Sequence, residues 1–137
     1  MDLRLELIII PVGDVDRAKD FYVNQLGFTV EMDQQLAPGF RVARLIPPGS
    51  RCAIAIGTGL STAAPGTAHG MHLMVSDADE AARELIAHGV AVNGPYHFEA
   101  GERVDGAHPT REPFNTFLDF ADPDANTWII QEVPAEN

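Results

Sequence analysis

His72 is the strongest candidate for a catalytic or ligand-binding residue in this sequence. It lies in a short apolar stretch, residues 71–75, where an imidazole can serve as an acid, a base or a hydrogen-bond anchor near neutral pH. A single histidine among apolar residues is more often a structural residue whose hydrogen bonds are satisfied. The sequence leaves both interpretations open.

A second group of polar residues lies between positions 97 and 113. His97, Glu99 and Glu102 are spaced so that they could supply metal ligands or a carboxylate base, although a solvated surface is the stronger interpretation. We expect the stretch to be a long polar loop, which in a small domain is often functional. Arg111 in this loop offers a guanidinium fork to a ligand carboxylate.

Composition limits the possible partners. The chain has 137 residues and a net charge of -11, which disfavours nucleic acid and anionic membrane surfaces as partners. This length is typical of one domain.

Cys52 is the only cysteine, so an intrachain disulfide and a thiolate cluster are excluded. The chain start lacks a basic segment and no apolar run reaches about 18 residues, so we expect a cytoplasmic protein.

Two helices are indicated by their end signals. Asp14 is typical of a helix start and Gly27 of the left-handed stop that follows. Asp77 begins the second helix, with Glu80 three positions later in a capping-box arrangement, and Gly89 ends it. Each helix follows one apolar strand and precedes another, which indicates an internal duplication.

Strand-like runs separated by turn residues fill the rest of each half. Each half is therefore predicted to be strand–helix–strand–strand–strand, as one domain with module 1 at about 1–60, a linker at 57–70 and module 2 at about 70–134. The predicted strands are 5–12, 28–32, 40–46, 51–56, 90–92, 116–121 and 128–133.

Three stretches carry a family resemblance: residues 11–28, residues 72–77, and residues 120–132. Their order resembles the vicinal oxygen chelate superfamily, which includes glyoxalases, bleomycin-resistance proteins and ring dioxygenases. The resemblance covers nearly the whole chain. It implies an α+β fold in which two tandem βαβββ modules form an open barrel or cup that holds a small molecule. At Ala125 the family usually has Gly, so we expect Asn126 to take the left-handed conformation instead.

The same resemblance implies where a metal would lie. In metal-dependent members, His or Glu ligands occupy positions that correspond here to Leu7, Ala55, Gly70 and Ile129. None of these side chains offers an imidazole or carboxylate, so we expect no metal and no other cofactor. A relocated metal site is an alternative, built from His69, His72, His97 or Glu99.

Strand alternation extends the expected cup face beyond these four positions. A mostly apolar lining suits a flat or aromatic ligand, although the same side chains are equally compatible with core. The acidic surface suits a cationic ligand. Trp128 is expected to face the helices. The predicted ligand-binding residues are Leu7, Ile9, Ala55, Gly70, His72, Met74, Arg111, Phe117, Ile129 and Gln131.

Two functions remain open from the sequence. The first is a metal-free small-molecule binding protein similar to bleomycin-resistance proteins, for which the resemblance implies a homodimer. The second is a metal-independent isomerase, epimerase or lyase that uses His72 as its acid or base.

Overall fold

Nine strands and two helices make up the described part of the chain, residues 1–134 of the computed structural model. A π-helical turn, Phe21–Gln25, continues the first helix directly. Within these residues, neither helix has the length and hydropathy needed to span a bilayer. The elements are β1 (Leu7–Ile9), α1 (Val15–Asp20), β2 (Thr29–Ala37), β3 (Phe40–Ile46), β4 (Ala53–Thr58), β5 (Met71–Val75), α2 (Ala78–Ala87), β6 (Asn93–Glu99), β7 (Glu102–Asp105), β8 (Phe117–Ala121) and β9 (Thr127–Glu132).

The chain divides into two units. The first comprises Met1–Ala68 together with Asp122–Asn126, and the second comprises His69–Ala121 and the residues from Thr127 onward. The turn between β8 and β9 therefore belongs to the first unit, although it lies in the second half of the sequence. The element order confirms the predicted α+β fold of two tandem modules, and the second module carries one additional hairpin strand, β7.

The helix starts form as their caps predict. The Asp14 carboxylate accepts a hydrogen bond from the Arg17 amide at 3.1 Å, and the Asp77 carboxylate accepts one from the Glu80 amide at 3.1 Å. These bonds satisfy amides that have no partner within the first helical turn. Gly27 and Gly89 both have positive φ, as expected for the residues that stop the two helices.

The sheet of the first unit has the strand order β1-β4-β3-β2. β1 runs parallel to β4, and the other neighbours are antiparallel. α1 packs against β4, and the buried side chains of this unit include Ile10, Leu45 and Ile56. Every second residue of the sheet strands therefore points to the side that carries α1.

The sheet of the second unit has the strand order β5-β9-β8-β6-β7. α2 contacts β6, β8 and β9, and the buried side chains of β8 and β9 are Leu118, Phe120, Trp128, Ile130 and Glu132. Trp128 faces the helix, as predicted. Because side chains alternate along a strand, the intervening residues point the other way. We call this other side of the second sheet the helix-free face.

Several predicted boundaries are wrong. The first strand was expected at 5–12 and covered on both faces, but β1 has only three residues and Ile9 is 41% exposed. The strand expected at 90–92 begins instead at Asn93. It was misplaced because Gly94 and Pro95 interrupt the alternation of apolar and polar residues that predicts a strand. The long polar loop expected at 97–113 includes the end of β6 and all of β7.

The turn Asp122–Asn126 corrects another prediction. The left-handed residue is Ala125, with φ of 73°, and not Asn126. The Asn126 amide group is used elsewhere: it donates to the Pro11 carbonyl at 2.8 Å and accepts from the Ala68 amide at 3.0 Å. Since Asn126 is held by these bonds, the strained conformation falls on the residue before it.

We expect Ala125→Gly to stabilise the protein by about 0.5–1 kcal/mol. A left-handed residue with a Cβ costs about 1–2 kcal/mol, and glycine offsets part of that gain through its greater freedom in the unfolded chain. Urea unfolding of the two proteins measures the difference. The matched control is Ala87→Gly at the end of α2, where φ is helical and the same change should destabilise. A loss of stability in Ala125→Gly contradicts the prediction.

Candidate ligand-binding site

A tight hairpin between β6 and β7 positions one edge of the candidate site. Its two turn residues, Ala100 and Gly101, have φ of 51° and 80°, and the turn pairs Glu99 with Glu102. Positive φ at both positions matches the turn whose twist suits a two-residue hairpin. The sequence hides this hairpin because Ala-Gly is not one of the common signals for it, which are Asn-Gly and Asp-Gly.

Strand pairing arranges the residues of the helix-free face into two rows across the sheet. Residues directly opposite one another on paired strands share a face. The first row consists of His72, Ile129, Asp119 and Asn93. The second row consists of Met74, Gln131, Phe117, Tyr96 and Asp105. Five of the predicted site residues therefore lie together here, and Gly70 immediately precedes β5.

Three aromatic rings form a contiguous cluster on the helix-free face. The Tyr96 and Phe117 rings are stacked with centroids 5.8 Å apart, and Phe98 contacts both rings edge-on at 6.0 Å and 5.7 Å. These separations are within the range of favourable aromatic contact. We call these residues the aromatic cluster. Phe117 was predicted as a site residue, whereas Tyr96 and Phe98 were missed because β6 was not recognised.

A carboxylate lies beside the aromatic cluster. Asp119 accepts a hydrogen bond from the Tyr96 hydroxyl at 2.8 Å and lies within 3.5 Å of the Asn93 amide nitrogen. Burial, together with the bond to Asp119, raises the pKa of Tyr96 to about 12. The hydroxyl therefore stays protonated at neutral pH and holds the ring in place. Asp119 was not predicted, although it is two residues from Phe117 on the same strand.

His72 presents one ring nitrogen to the same face. Its Nδ1 lies 2.7 Å from the Gly70 carbonyl oxygen, and the side chain is exposed. A carbonyl oxygen only accepts, so Nδ1 carries the proton in the neutral ring and Nε2 keeps its lone pair. This arrangement leaves Nε2 able to accept a proton or a hydrogen bond.

Arg111 lies elsewhere. Its guanidinium forms ion pairs with Glu132, at 3.0 Å, and with Asp79 in α2. Glu132 alternates with Gln131 and so faces α2, and its carboxylate also accepts the Ala78 amide at 2.9 Å. The structure thus brings Arg111 to the helix side of the sheet, because Asp79 in the first turn of α2 and Glu132 in β9 bind its guanidinium. It does not join the helix-free face.

His97 is buried, contrary to the solvated position that was expected. It is 3% exposed and lies on the opposite face of β6 from Tyr96. Nδ1 is 2.7 Å from the Gly106 carbonyl oxygen and Nε2 is 3.0 Å from the Glu99 carboxylate, so only the imidazolium donates to both. The hydrogen bond to Gly106, followed by the one to Glu99, raises the pKa of His97 above its ordinary value of 6.5.

We expect His97 to make stability depend on pH. Because its pKa is raised in the folded state, the protonated ring stabilises the protein fully below the unfolded pKa, and that contribution is lost as pH rises through the folded pKa. The free energy of unfolding, compared with His97→Gln, should therefore be constant well below pH 6.5 and fall as the pH rises from there through the folded pKa. An NMR titration of the imidazole measures the pKa, which Glu99→Gln should lower. A pKa at or below the ordinary value contradicts the prediction.

The first unit carries the other predicted cup residues. One row across its sheet consists of Ile9, Ala55, Arg44 and Met32, and Leu7 lies on the same face. Arg44 was not predicted as a site residue. Its guanidinium forms ion pairs with Glu6 at 2.8 Å and Glu31 at 2.6 Å.

A cavity of about 240 Å³ lies beside the ends of β1 and β4 in the first unit. Ile9 is one of its lining residues, and Thr58 and Ser61 supply hydroxyl groups. Leu7 and Ala55 do not line it. The cavity has no charged side chain in its lining, so its polar side-chain groups are uncharged hydroxyls.

The side chains do not fit a bound divalent metal at the positions that the resemblance implies. Leu7, Ala55, Gly70 and Ile129 offer no oxygen, nitrogen or sulfur donor. Among residues 1–134, no three His, Cys, Asp or Glu side chains are grouped so that they could hold a metal ion. The relocated site built from His69, His72, His97 or Glu99 is therefore not formed.

Solved structures similar to this chain include two from Streptomyces sp. CB03234 and one from Sphaerobacter thermophilus. TnmS3, an antibiotic binding protein from Streptomyces sp. CB03234, is 28% identical with a TM-score of 0.76, and the match covers 98% of each chain. A glyoxalase/bleomycin resistance protein from the same organism is 29% identical with a TM-score of 0.73, over 94% of this chain and 100% of the other. A superfamily member from Sphaerobacter thermophilus is 28% identical with a TM-score of 0.73, over 96% and 98%.

The sequence comparison agrees with the structural one. None of the curated proteins matches the chain significantly. Residues 4–130 match the family described as Glyoxalase/Bleomycin resistance protein/Dioxygenase superfamily. This match spans most of the chain, and the two modules have the fold that the resemblance implies. The chain therefore belongs to the glyoxalase/bleomycin resistance protein/dioxygenase superfamily.

Proposed function

We propose that this protein is a metal-free small-molecule binding protein whose ligand lies on the helix-free face of the second sheet. The observation that carries the proposal is the aromatic cluster beside Asp119. Tyr96, Phe98 and Phe117 offer flat apolar surface, and a few polar groups around such a surface orient a ligand. The similarity to TnmS3, described as an antibiotic binding protein, supports the same class of function.

The ligand class that fits this face is an aromatic molecule, either neutral or cationic. Rings of a ligand would stack on the aromatic cluster, and a positive charge would be attracted by Asp119 and by the net charge of -11. Met74, which is 66% exposed, adds a flexible apolar contact at the end of the second row. Gln131 and His72 supply hydrogen-bonding groups within the two rows.

The absence of a metal is part of the proposal. The four positions that the resemblance implies as ligands carry hydrocarbon or hydrogen only. In addition, Arg44 lies directly opposite Ala55 on the paired strand, and its guanidinium forms ion pairs with Glu6 and Glu31, so these two carboxylates are already engaged. Metal analysis of untagged protein purified without chelator should give no stoichiometric metal.

A homodimer is also proposed. The first unit exposes Leu5, Ile9 and Val30, and the second unit exposes Met74. Large apolar side chains that a single chain leaves exposed are candidates for burial in an interface. Sedimentation equilibrium should give a mass of twice 14.8 kDa, and a monomer at micromolar concentration would contradict this part. The predicted cytoplasmic location belongs to the same proposal.

A thermal-shift panel tests the binding function. The panel contains planar aromatic molecules, such as acridine and its permanently cationic N-methyl derivative, and non-aromatic amines of similar size as controls. A ligand at 100 times its dissociation constant stabilises the folded state by about 2.7 kcal/mol, which a melting experiment detects readily. We expect shifts with aromatic members and none with the amines. No shift with any aromatic member at millimolar concentration would count decisively against the proposal.

One observation favours the alternative function, a metal-independent enzyme. Nε2 of His72 carries its lone pair on the face that the ligand would occupy, which suits proton abstraction next to a carbonyl group. The test is the exchange of carbon-bound protons of pyruvate and acetoacetate in D₂O, followed by NMR. Exchange faster than in buffer that is lost in His72→Ala would support the enzyme. Equal rates in the two proteins would exclude His72 as the base for these carbon acids.

A further inference from the structure

We propose that Arg103 is an internal cation that occupies the cation subsite of the ligand, and that a planar cationic group of the ligand replaces it over the Tyr96 ring. This inference rests on the proposed function and deepens it, because it names the ligand class and a residue that controls selectivity. Arg103 was not predicted from the sequence as a site residue.

The position of the guanidinium carries the argument. The Arg103 Cζ atom lies 3.7 Å from the centroid of the Tyr96 ring, which is stacking distance, and Nη2 donates to the Asn93 side-chain oxygen at 3.0 Å. A planar cation over a tyrosine face is attracted by the electrons of the ring. The subsite is thus already filled by a group with the shape and charge that we infer for the ligand.

The Tyr96 ring, which lies beneath the Arg103 guanidinium in this subsite, is held firmly. The Tyr96 hydroxyl donates to Asp119, the ring stacks on Phe117, and Tyr96 is only 6% exposed. Departure of Arg103 would therefore uncover a ring that stays in place. A ligand would meet a preformed surface with the Asp119 carboxylate at its edge.

Arg103 itself is held weakly. It is exposed, and within residues 1–134 no carboxylate lies within 4.0 Å of its guanidinium. It lies in β7, a four-residue strand at the edge of the sheet, so its side chain can turn away without disturbing the core. An exposed cation–π contact of this kind reduces the affinity of a competing cation by roughly 2–5-fold.

Arg103 would therefore discriminate by charge. A cationic ligand competes with the guanidinium and is repelled by its charge, whereas a neutral ring of the same shape meets no such repulsion. Removing the guanidinium should improve binding of the cation selectively. If Arg103 instead bound the ligand directly, its removal would weaken the binding of the cationic ligand and of the neutral ligand alike.

The experiment uses two dyes with the same ring system. N-methylacridinium is permanently cationic, and acridine is neutral at mildly alkaline pH. Fluorescence titrations of both dyes are made with the unmodified protein, Arg103→Ala and Arg103→Gln. The matched control is Arg51→Ala, which removes the same charge from an exposed position in the first unit.

We expect both Arg103 variants to bind N-methylacridinium about 3–10-fold more tightly, with acridine affinity changed less than about 2-fold. Arg51→Ala should change neither by more than about 2-fold. Unchanged or weaker binding of the cation overturns the inference, as does equal strengthening for both dyes or no binding of the cation to Arg103→Ala. A different result contradicts the proposed function: no member of the wider aromatic panel binds the unmodified protein.

Discussion

Replacing Asp122 with alanine should lower the free energy of unfolding by about 3–5 kcal/mol. The Asp122 side chain belongs to a residue that is 4% exposed, and it accepts four hydrogen bonds of 2.8–2.9 Å, from the Tyr22 hydroxyl, the Asp124 and Asn126 amides and the Asn126 side chain. Alanine would remove this acceptor from all four donors, and three of these hydrogen bonds are buried. Such donors keep their desolvation penalty and lose their bond.

Urea unfolding followed by far-UV circular dichroism measures the loss. Tyr22→Phe is the matched control, since it removes only one of the four donors and should cost about 1 kcal/mol. Asp122→Asn keeps a carbonyl oxygen as acceptor and should fall between the two, which preserves the test if the alanine variant does not fold. A loss below about 1 kcal/mol in Asp122→Ala would show that the turn does not depend on this carboxylate.

Replacing Phe117 with alanine should weaken binding of a planar aromatic ligand by about 10–100-fold. Phe117 contacts both other rings of the aromatic cluster, so its removal takes away one stacking surface and leaves Tyr96 and Phe98 without their shared neighbour. A single aromatic platform is worth about 1–3 kcal/mol per stacked ring, which is the size of this effect. Titration of acridine fluorescence provides the measurement.

The matched control for this variant is Phe114→Ala. Phe114 is an aromatic residue of the same unit, is 58% exposed and has no part in the aromatic cluster. Its removal should change acridine affinity by less than about 3-fold. If the two variants lose affinity equally, or if Phe117→Ala binds as well as the unmodified protein while remaining folded, the ligand does not lie on the helix-free face.

Local features account for the parts of the fold that were predicted correctly. The starts of both helices follow from Asp14 and Asp77, whose carboxylates bond to amides three residues away, and the stops follow from Gly27 and Gly89. Each of these signals acts within one turn of chain, so the sequence carries it in full. The inward position of Trp128 follows in the same way from strand alternation.

The predictions that were wrong share a different cause. The polar stretch at 97–113 looked like a loop because its alternation is weak, but pairing with β8 and with its own hairpin partner makes a strand of Asn93–Glu99. Arg111 was expected near the ligand, but Glu132 and Asp79 bind its guanidinium on the helix side. In both cases at least one deciding partner lies 21 or more residues away along the chain, so the residue types nearby do not predict the contact.

By itself the sequence determined the family, the two modules, their helices and the lack of metal donors at the four implied positions, since these depend on residue type and on short spacing. Only the tertiary structure decided that Tyr96, Phe98, Phe117, Asp119 and Arg103 share one face. Their strands, β6, β7 and β8, lie next to each other because hydrogen bonds fix the register, and a shift of one residue would turn these side chains to the opposite side.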